Sequence, residues 1–127
     1  MELLGIGIDV VEVKRIEESI EEFEDRFLNR IFTPKEQEYC NKQKKSSLHY
    51  AARFAAKEAL SKAFGTGIGK ELGWLDLEVE RKVSGEPEVV LHGRAKQFAQ
   101  SKGVVGIKIS LTHAQQYAAA NAVILKG

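Results

Sequence analysis

The apolar positions of this chain change period near its middle. Near the start, GIGIDVVEV at 5–13 carries Ile6, Ile8, Val10, Val11 and Val13 in a nearly unbroken run of β-branched residues. That composition predicts a buried strand, with two glycines allowing close backbone packing. Asp9 interrupts it, and a carboxylate in an apolar setting needs a partner. Ile16, Ile20, Phe23 and Phe27 then recur at helical spacing, predicting one helix whose other face, with Glu17, Glu18, Glu21, Glu22, Glu24 and Asp25, is solvated. Thr33-Pro34 predicts an N-cap with proline at the first helical position, opening a short helix to about Gln43. Ser46 and Ser47 are candidate caps of a longer helix ending near Phe64.

From Leu75 onward the period becomes two. Leu75, Leu77 and Val79 alternate with Asp76, Glu78 and Glu80, the pattern of a half-exposed strand. SGEP at 84–87 is a turn signal, and Val89 to Leu91 supplies a return strand. Residues 94–102 suit a short helix, and Ile107, Ile109 and Leu111 alternate again. Tyr117 to Leu125 reads as an apolar, small-residue strand in preference to a helix. Helices early and antiparallel strands late predict an α+β fold, with the helices of the N-terminal half packed on an antiparallel sheet.

Composition narrows the classes. A chain of 127 residues predicts a single domain over 1–127, and 43% hydrophobic with 29% charged residues is ordinary for a soluble globular protein. The net charge of +1 gives no global attraction to nucleic acid or membranes. Cys40 is the single cysteine, which excludes an internal disulfide and a cysteine-based zinc site. No apolar run approaches the ~20 residues of a membrane span, nor does the start resemble a signal peptide, so a cytoplasmic location is expected.

The chemistry gathers in FAAKEALSKAF at 54–64. On a helical wheel Ala55, Ala56, Ala59, Leu60 and Ala63 share one side, suited to close packing. Lys57, Glu58, Ser61 and Lys62 take the other, with Arg53 at its margin and Glu58 and Lys62 forming an i,i+4 pair. The GTGIG segment at 65–69 has two readings: a glycine C-cap at Gly65, the favoured one, or a loop offering N–H groups to a phosphate. It is not a Walker A loop, since Gly69-Lys70 is followed by Glu71.

Three blocks, GIGIDVVEVKRI, RFAAKEALSKAFGTGIG and ISLTHAQQYAAA, resemble the holo-acyl-carrier-protein synthases, the small bacterial type of 4′-phosphopantetheinyl transferase. The resemblance spans nearly the whole chain, in order. It implies transfer of the phosphopantetheine arm of coenzyme A to a serine hydroxyl of apo-acyl carrier protein, with release of 3′,5′-ADP. By the same resemblance Asp9 and Glu58 hold Mg²⁺, a cation that favours one or two carboxylates plus phosphate and water. Lys62 assists the leaving phosphate oxygen, and Lys57 contacts the coenzyme A phosphates. Arg53 and His113 are candidates for the 3′-phosphate, and Ser61, Gly65 and Thr66 line the cofactor. The proton of the attacking serine leaves through metal-bound water or Glu58, a choice the residues leave open.

Acyl carrier proteins are acidic, so a basic docking surface is expected. Lys14 and Arg15 match the family's docking position. The sequence departs from the family in the acidic run that follows, where Arg26 and Arg30 are the available cations, and at Glu86, where a basic residue is frequent. The resemblance further implies a homotrimer with active sites between subunits. His49 is a weaker candidate for the cofactor, while His92, Trp74 and Cys40 read as ordinary surface or packing residues. Two other functions compete: a metal-dependent nucleotide pyrophosphate hydrolase using the same carboxylates, and a non-enzymatic coenzyme A or carrier-protein binding module, which would not need Asp9, Glu58 and Lys62 together.

Overall fold

The computed structural model describes residues 1–127. Three strands form an antiparallel sheet in the order β1-β5-β4: β1 (Glu2–Glu12), β4 (Val104–His113) and β5 (Tyr117–Lys126). The segment from Tyr117 is therefore a strand, as its apolar, small-residue composition implied. A separate hairpin pairs β2 (Leu77–Arg81) with β3 (Pro87–Leu91). The helices are α1 (Val13–Phe23), α2 (Asp25–Ile31), α3 (Pro34–Asn41), α4 (Ser46–Phe64) and α5 (Gly93–Ser101).

Helix α4 is the axis of the molecule. Its 19 residues lie across the three-stranded sheet and also touch α1, α3 and β2. Small residues make this possible: Ala51, Ala52, Ala55, Ala56, Ala59 and Ala63 are all buried. The glycines of β1 complete the fit. A Cβ added at Gly5 would sit 2.0 Å from the Ala63 carbonyl oxygen, and one at Gly7 2.0 Å from that of Ala59. Backbone lies directly on backbone there, so any side chain forces the helix off the sheet.

Three expectations are corrected. The helix predicted through Phe27 breaks at Glu24, which has φ 49° and whose N–H closes α1 on the Ile20 carbonyl at 2.8 Å. Phe27 thus belongs to α2 and packs edge-on against Phe32. Leu75 falls in a 3₁₀ turn at Trp74–Asp76 that precedes the strand. Asp76 accepts the Gly73 N–H at 2.9 Å, closing that turn before pairing begins. Most telling is β1, where burial is reversed from its composition. Ile6, Ile8 and Val10 are exposed, whereas Asp9 lies on the face turned toward α4. The register places Ile6 beside Val123 and Val10 beside Ala119, an apolar outer face on the sheet.

Candidate active site

Burial of α4 on nearly every side leaves one open row, Phe54, Glu58 and Lys62, at i,i+4 spacing. Arg53, Lys57 and Ser61, assigned by the wheel to a polar face, are buried instead. The wheel failed because a helix wrapped by a sheet, a hairpin and two helices has no broad solvated face.

Asp9 meets this open row. Lys62 Nζ lies 3.0 Å from Asp9 Oδ1 and donates to the Ile8 carbonyl at 3.0 Å. The lysine therefore crosses to the strand, and the expected i,i+4 pair with Glu58 does not form. Asp9 and Glu58 line one cleft of about 270 Å³ with Arg15, Ser19, Phe27 and Phe54. Burial pushes the Glu58 carboxyl above its usual range, the Asp9 charge pushes it further, and Lys62 partly opposes both.

No group of three or more His, Cys, Asp or Glu side chains forms a metal cluster. Two carboxylates sharing a cleft, one of them held more basic by the other, nevertheless fit Mg²⁺, which commonly takes one or two protein carboxylates and completes its shell with phosphate and water. They do not suit a transition metal that prefers nitrogen or sulfur ligands.

The remaining expected residues separate into groups. Ser61 is turned inward, its hydroxyl donating to the Glu58 carbonyl at 2.8 Å, so it does not line an open surface. Gly65 adopts φ 83° and ends α4, while the N–H groups of Thr66 and Gly67 return to the Ser61 carbonyl. The favoured C-cap reading of GTGIG is realised, and those donors are consumed by the helix end. Lys57 is not brought to an open surface: its side chain has no exposed area, and Nζ pairs with Glu36 Oε1 at 2.8 Å. In this conformation it cannot reach a phosphate in solvent.

Arg53 and His113 gather in a second place. The Arg53 guanidinium stacks over Tyr39 at 4.2 Å, and Arg81 approaches the same ring at 5.7 Å. His49 packs between Tyr39 and His113, with the two imidazoles 5.1 Å apart. Burial, then His113, Arg53 and Arg81 hold His49 below its ordinary value. Arg53 Nε is buried without a partner. Arg53 and Arg81 line an opening with Lys35 and Lys82 that shares no residue with the carboxylate cleft. Tyr39 and Arg81 were not singled out in the sequence; their positions carry no local motif, and only the fold brings them to His113.

A third feature joins the first. A groove of about 690 Å³ is lined by Phe23, Phe27, Phe54 and Trp74, with Arg26 and Arg30 among them. It shares Ser19, Phe27 and Phe54 with the cleft, so the two openings adjoin. Trp74 stacks on Phe54 at 5.1 Å, which makes it a wall of the groove and more than interior packing. Arg15 stands in the cleft itself, and Arg26 lies over the Phe23 ring at 5.7 Å.

A small α+β fold in which Asp9 of a strand meets Glu58 and Lys62 of one helix suggests a class, and residues 5–122 match the 4′-phosphopantetheinyl transferase superfamily model. The chain belongs to that superfamily, and within it to the holo-[acyl-carrier-protein] synthases, as an enzyme of phosphopantetheinyl transfer. It is 48% identical to the holo-[acyl-carrier-protein] synthase of Koribacter versatilis, with 96% of this chain and 98% of the relative covered. The crystal structure of the Neisseria meningitidis synthase superposes with a TM-score of 0.92 at 31% identity, covering 98% of this chain and 99% of that one. The Helicobacter pylori synthase, solved in complex with coenzyme A, gives a TM-score of 0.85 at 34% identity, covering 94% and 99%.

Proposed function

We propose that this enzyme transfers the 4′-phosphopantetheine arm of coenzyme A to a serine hydroxyl of apo-acyl carrier protein in a Mg²⁺-dependent reaction in the cytoplasm. The observation that carries the reading is the Asp9–Lys62 pair at 3.0 Å, with Asp9 and Glu58 lining one cleft beside an arginine-rimmed groove. In the reaction the serine oxygen forms a bond to the phosphorus that carries pantetheine. The bridging P–O bond breaks, and 3′,5′-ADP leaves. Asp9 and Glu58 would hold the metal, which when bound neutralises pyrophosphate charge and orients it. Lys62, half exposed and anchored by Asp9, is placed to stabilise or protonate the departing oxygen. Glu58 lies in the cleft to which the serine is delivered and is this chain's candidate for accepting its proton.

The partner's chemistry follows from the groove. Arg15, Arg26 and Arg30 flank apolar walls, which suits an acidic amphipathic helix delivering its serine to the cleft. Arg53 and His113 are proposed to hold the 3′-phosphate, aided by His49 and Arg81. Their separation from the carboxylate cleft supports a homotrimer in which one subunit's carboxylates meet the neighbour's cations. The exposed Ile6, Ile8 and Val10 supply an apolar face for such an interface.

Intact-protein mass spectrometry tests the reaction. Apo-acyl carrier protein incubated with this enzyme, coenzyme A and Mg²⁺ should gain one phosphopantetheine mass, and the gain should vanish with EDTA or in Glu58→Gln. Coenzyme A consumed without a mass gain would instead identify a hydrolase. Coenzyme A left intact would leave a binding module or a carrier protein that is not the enzyme's partner.

A further inference from the structure

The motif lysine next to Glu58 has no exposed side-chain surface. Lys57 Nζ pairs with Glu36 Oε1 at 2.8 Å, donates to the Trp74 carbonyl at 2.8 Å and lies 5.8 Å from the centre of the Phe32 ring. Glu36 is equally enclosed. Its Oε1 also accepts the Thr33 N–H at 2.9 Å, and its Oε2 accepts the Val79 N–H at 2.8 Å. The Thr33 hydroxyl donates in turn to Glu78, whose other oxygen faces His92 at 3.0 Å. Lys57 is thus the enclosed cation beside two buried carboxylates, and it ties α4 to the start of α3, to β2 and to the Trp74 turn.

Each of these ties bears on the cleft. Lys57 precedes Glu58 in the chain, so fixing its ammonium fixes the rotation and height of α4 where Glu58 emerges. The Trp74 turn that it grips also carries the indole stacked on Phe54, a wall shared by the cleft and the groove. A buried ion pair of this kind has one low-energy geometry, because any displacement leaves a desolvated charge unpaired. Catalytic groups depend on such supporting shells for their placement.

We propose that Lys57 and Glu36 form one positioning unit that sets Glu58 against Asp9, and that Lys57 makes no contact with the coenzyme A phosphates. This rests on the reading of Glu58 as a metal-holding group. The direct-contact role that the family resemblance gave Lys57 is replaced by an indirect one, and Glu36 acquires a role no motif suggested.

The test uses the full-length enzyme and three variants: Glu36→Gln, Lys57→Met and the double substitution Glu36→Gln/Lys57→Met, which removes both buried charges together and so leaves neither unpaired. Mn²⁺ binding followed by electron paramagnetic resonance, 3′,5′-ADP binding by calorimetry without metal, and kcat with KM for coenzyme A are measured for each. Each variant should lose about tenfold or more in Mn²⁺ affinity and in kcat, a loss typical of groups that orient metal ligands. The double variant should be no worse than either single one, the signature of residues acting as a unit. KM for coenzyme A and affinity for 3′,5′-ADP should stay within about twofold of the parent. A weakened 3′,5′-ADP affinity or raised KM in Lys57→Met alone would overturn the proposal, as would losses that simply add in the double variant. Unchanged Mn²⁺ binding in all three variants would overturn it too. Failure of the parent enzyme to bind Mn²⁺ or to modify carrier protein would instead sink the functional reading, so the two failures are distinguishable.

Discussion

Two lysines on α4 divide the labour of the site. Lys57 is fully enclosed, paired with Glu36, and held by burial below the usual lysine range, with Glu36 opposing that shift. Lys62 stands at the cleft rim, 51% exposed and paired with Asp9 across two elements. Both are lysines beside carboxylates at about the same distance. Their surroundings separate them: the enclosed pair holds structure in one geometry, while the open pair can exchange its partner for a phosphate oxygen. The contrast shows that a KEALSK stretch does not assign roles by residue type.

Removing the open lysine should break chemistry and spare the fold. Lys62→Met is expected to lower kcat by about 10²–10⁴, the range for a positioned acid, while stability measured by urea titration changes by about 0–1 kcal/mol, as for exposed pairs. Removing the enclosed lysine should reverse the emphasis. Lys57→Ala is expected to cost about 3–5 kcal/mol in the same titration, because Glu36 is left as an unpaired buried charge. A Lys57→Ala protein of parent stability would show that the two lysines are not distinguished by burial.

A smaller effect sharpens the comparison from the strand side. Gly7→Ala puts a methyl into the Ala59 carbonyl and should destabilise by about 1–3 kcal/mol, with overpacking pushing α4 from β1. Because Asp9 and Lys62 meet across that seam, kcat should fall along with the melting temperature, unlike the separated effects of the two lysines.

The smallest expected effect is a pH dependence at the second cluster. His49 is held below its ordinary 6.5, so the folded protein binds fewer protons there than the unfolded chain. Its contribution is present above that ordinary value and lost as pH falls through the depressed one. His49→Gln should therefore reduce the loss of stability on acidification through this window, read as a shallower decline of the urea midpoint. An identical decline in parent and variant would exclude His49 as its source.

Periodicity located nearly every element, since helical and strand spacing are local properties. It erred where tertiary pairing set the boundary: at Glu24, where the chain breaks into the left-handed region and redirects Phe27, and at Leu75, drawn into a turn closed by Asp76. Asp9, Glu58 and Lys62 were legible as a candidate site because their motifs resemble a family whose model matches residues 5–122. Tyr39, Arg81, Trp74 and Glu36 were not, because each acquires its place only from residues far away in sequence.

By itself, the sequence determined the α+β class, the long alanine-rich helix and its glycine stop. Local spacing and residue type suffice for these, since helix propensity, capping and charge act over a few residues. Only the tertiary structure decided which polar groups stay open. The glycines of β1 let α4 settle onto the sheet, and its burial enclosed Arg53, Lys57 and Ser61 alike. The isoleucines of β1 were left outside and Asp9 within. Burial depends on everything packed against a residue, and that information is not local to any stretch of the chain.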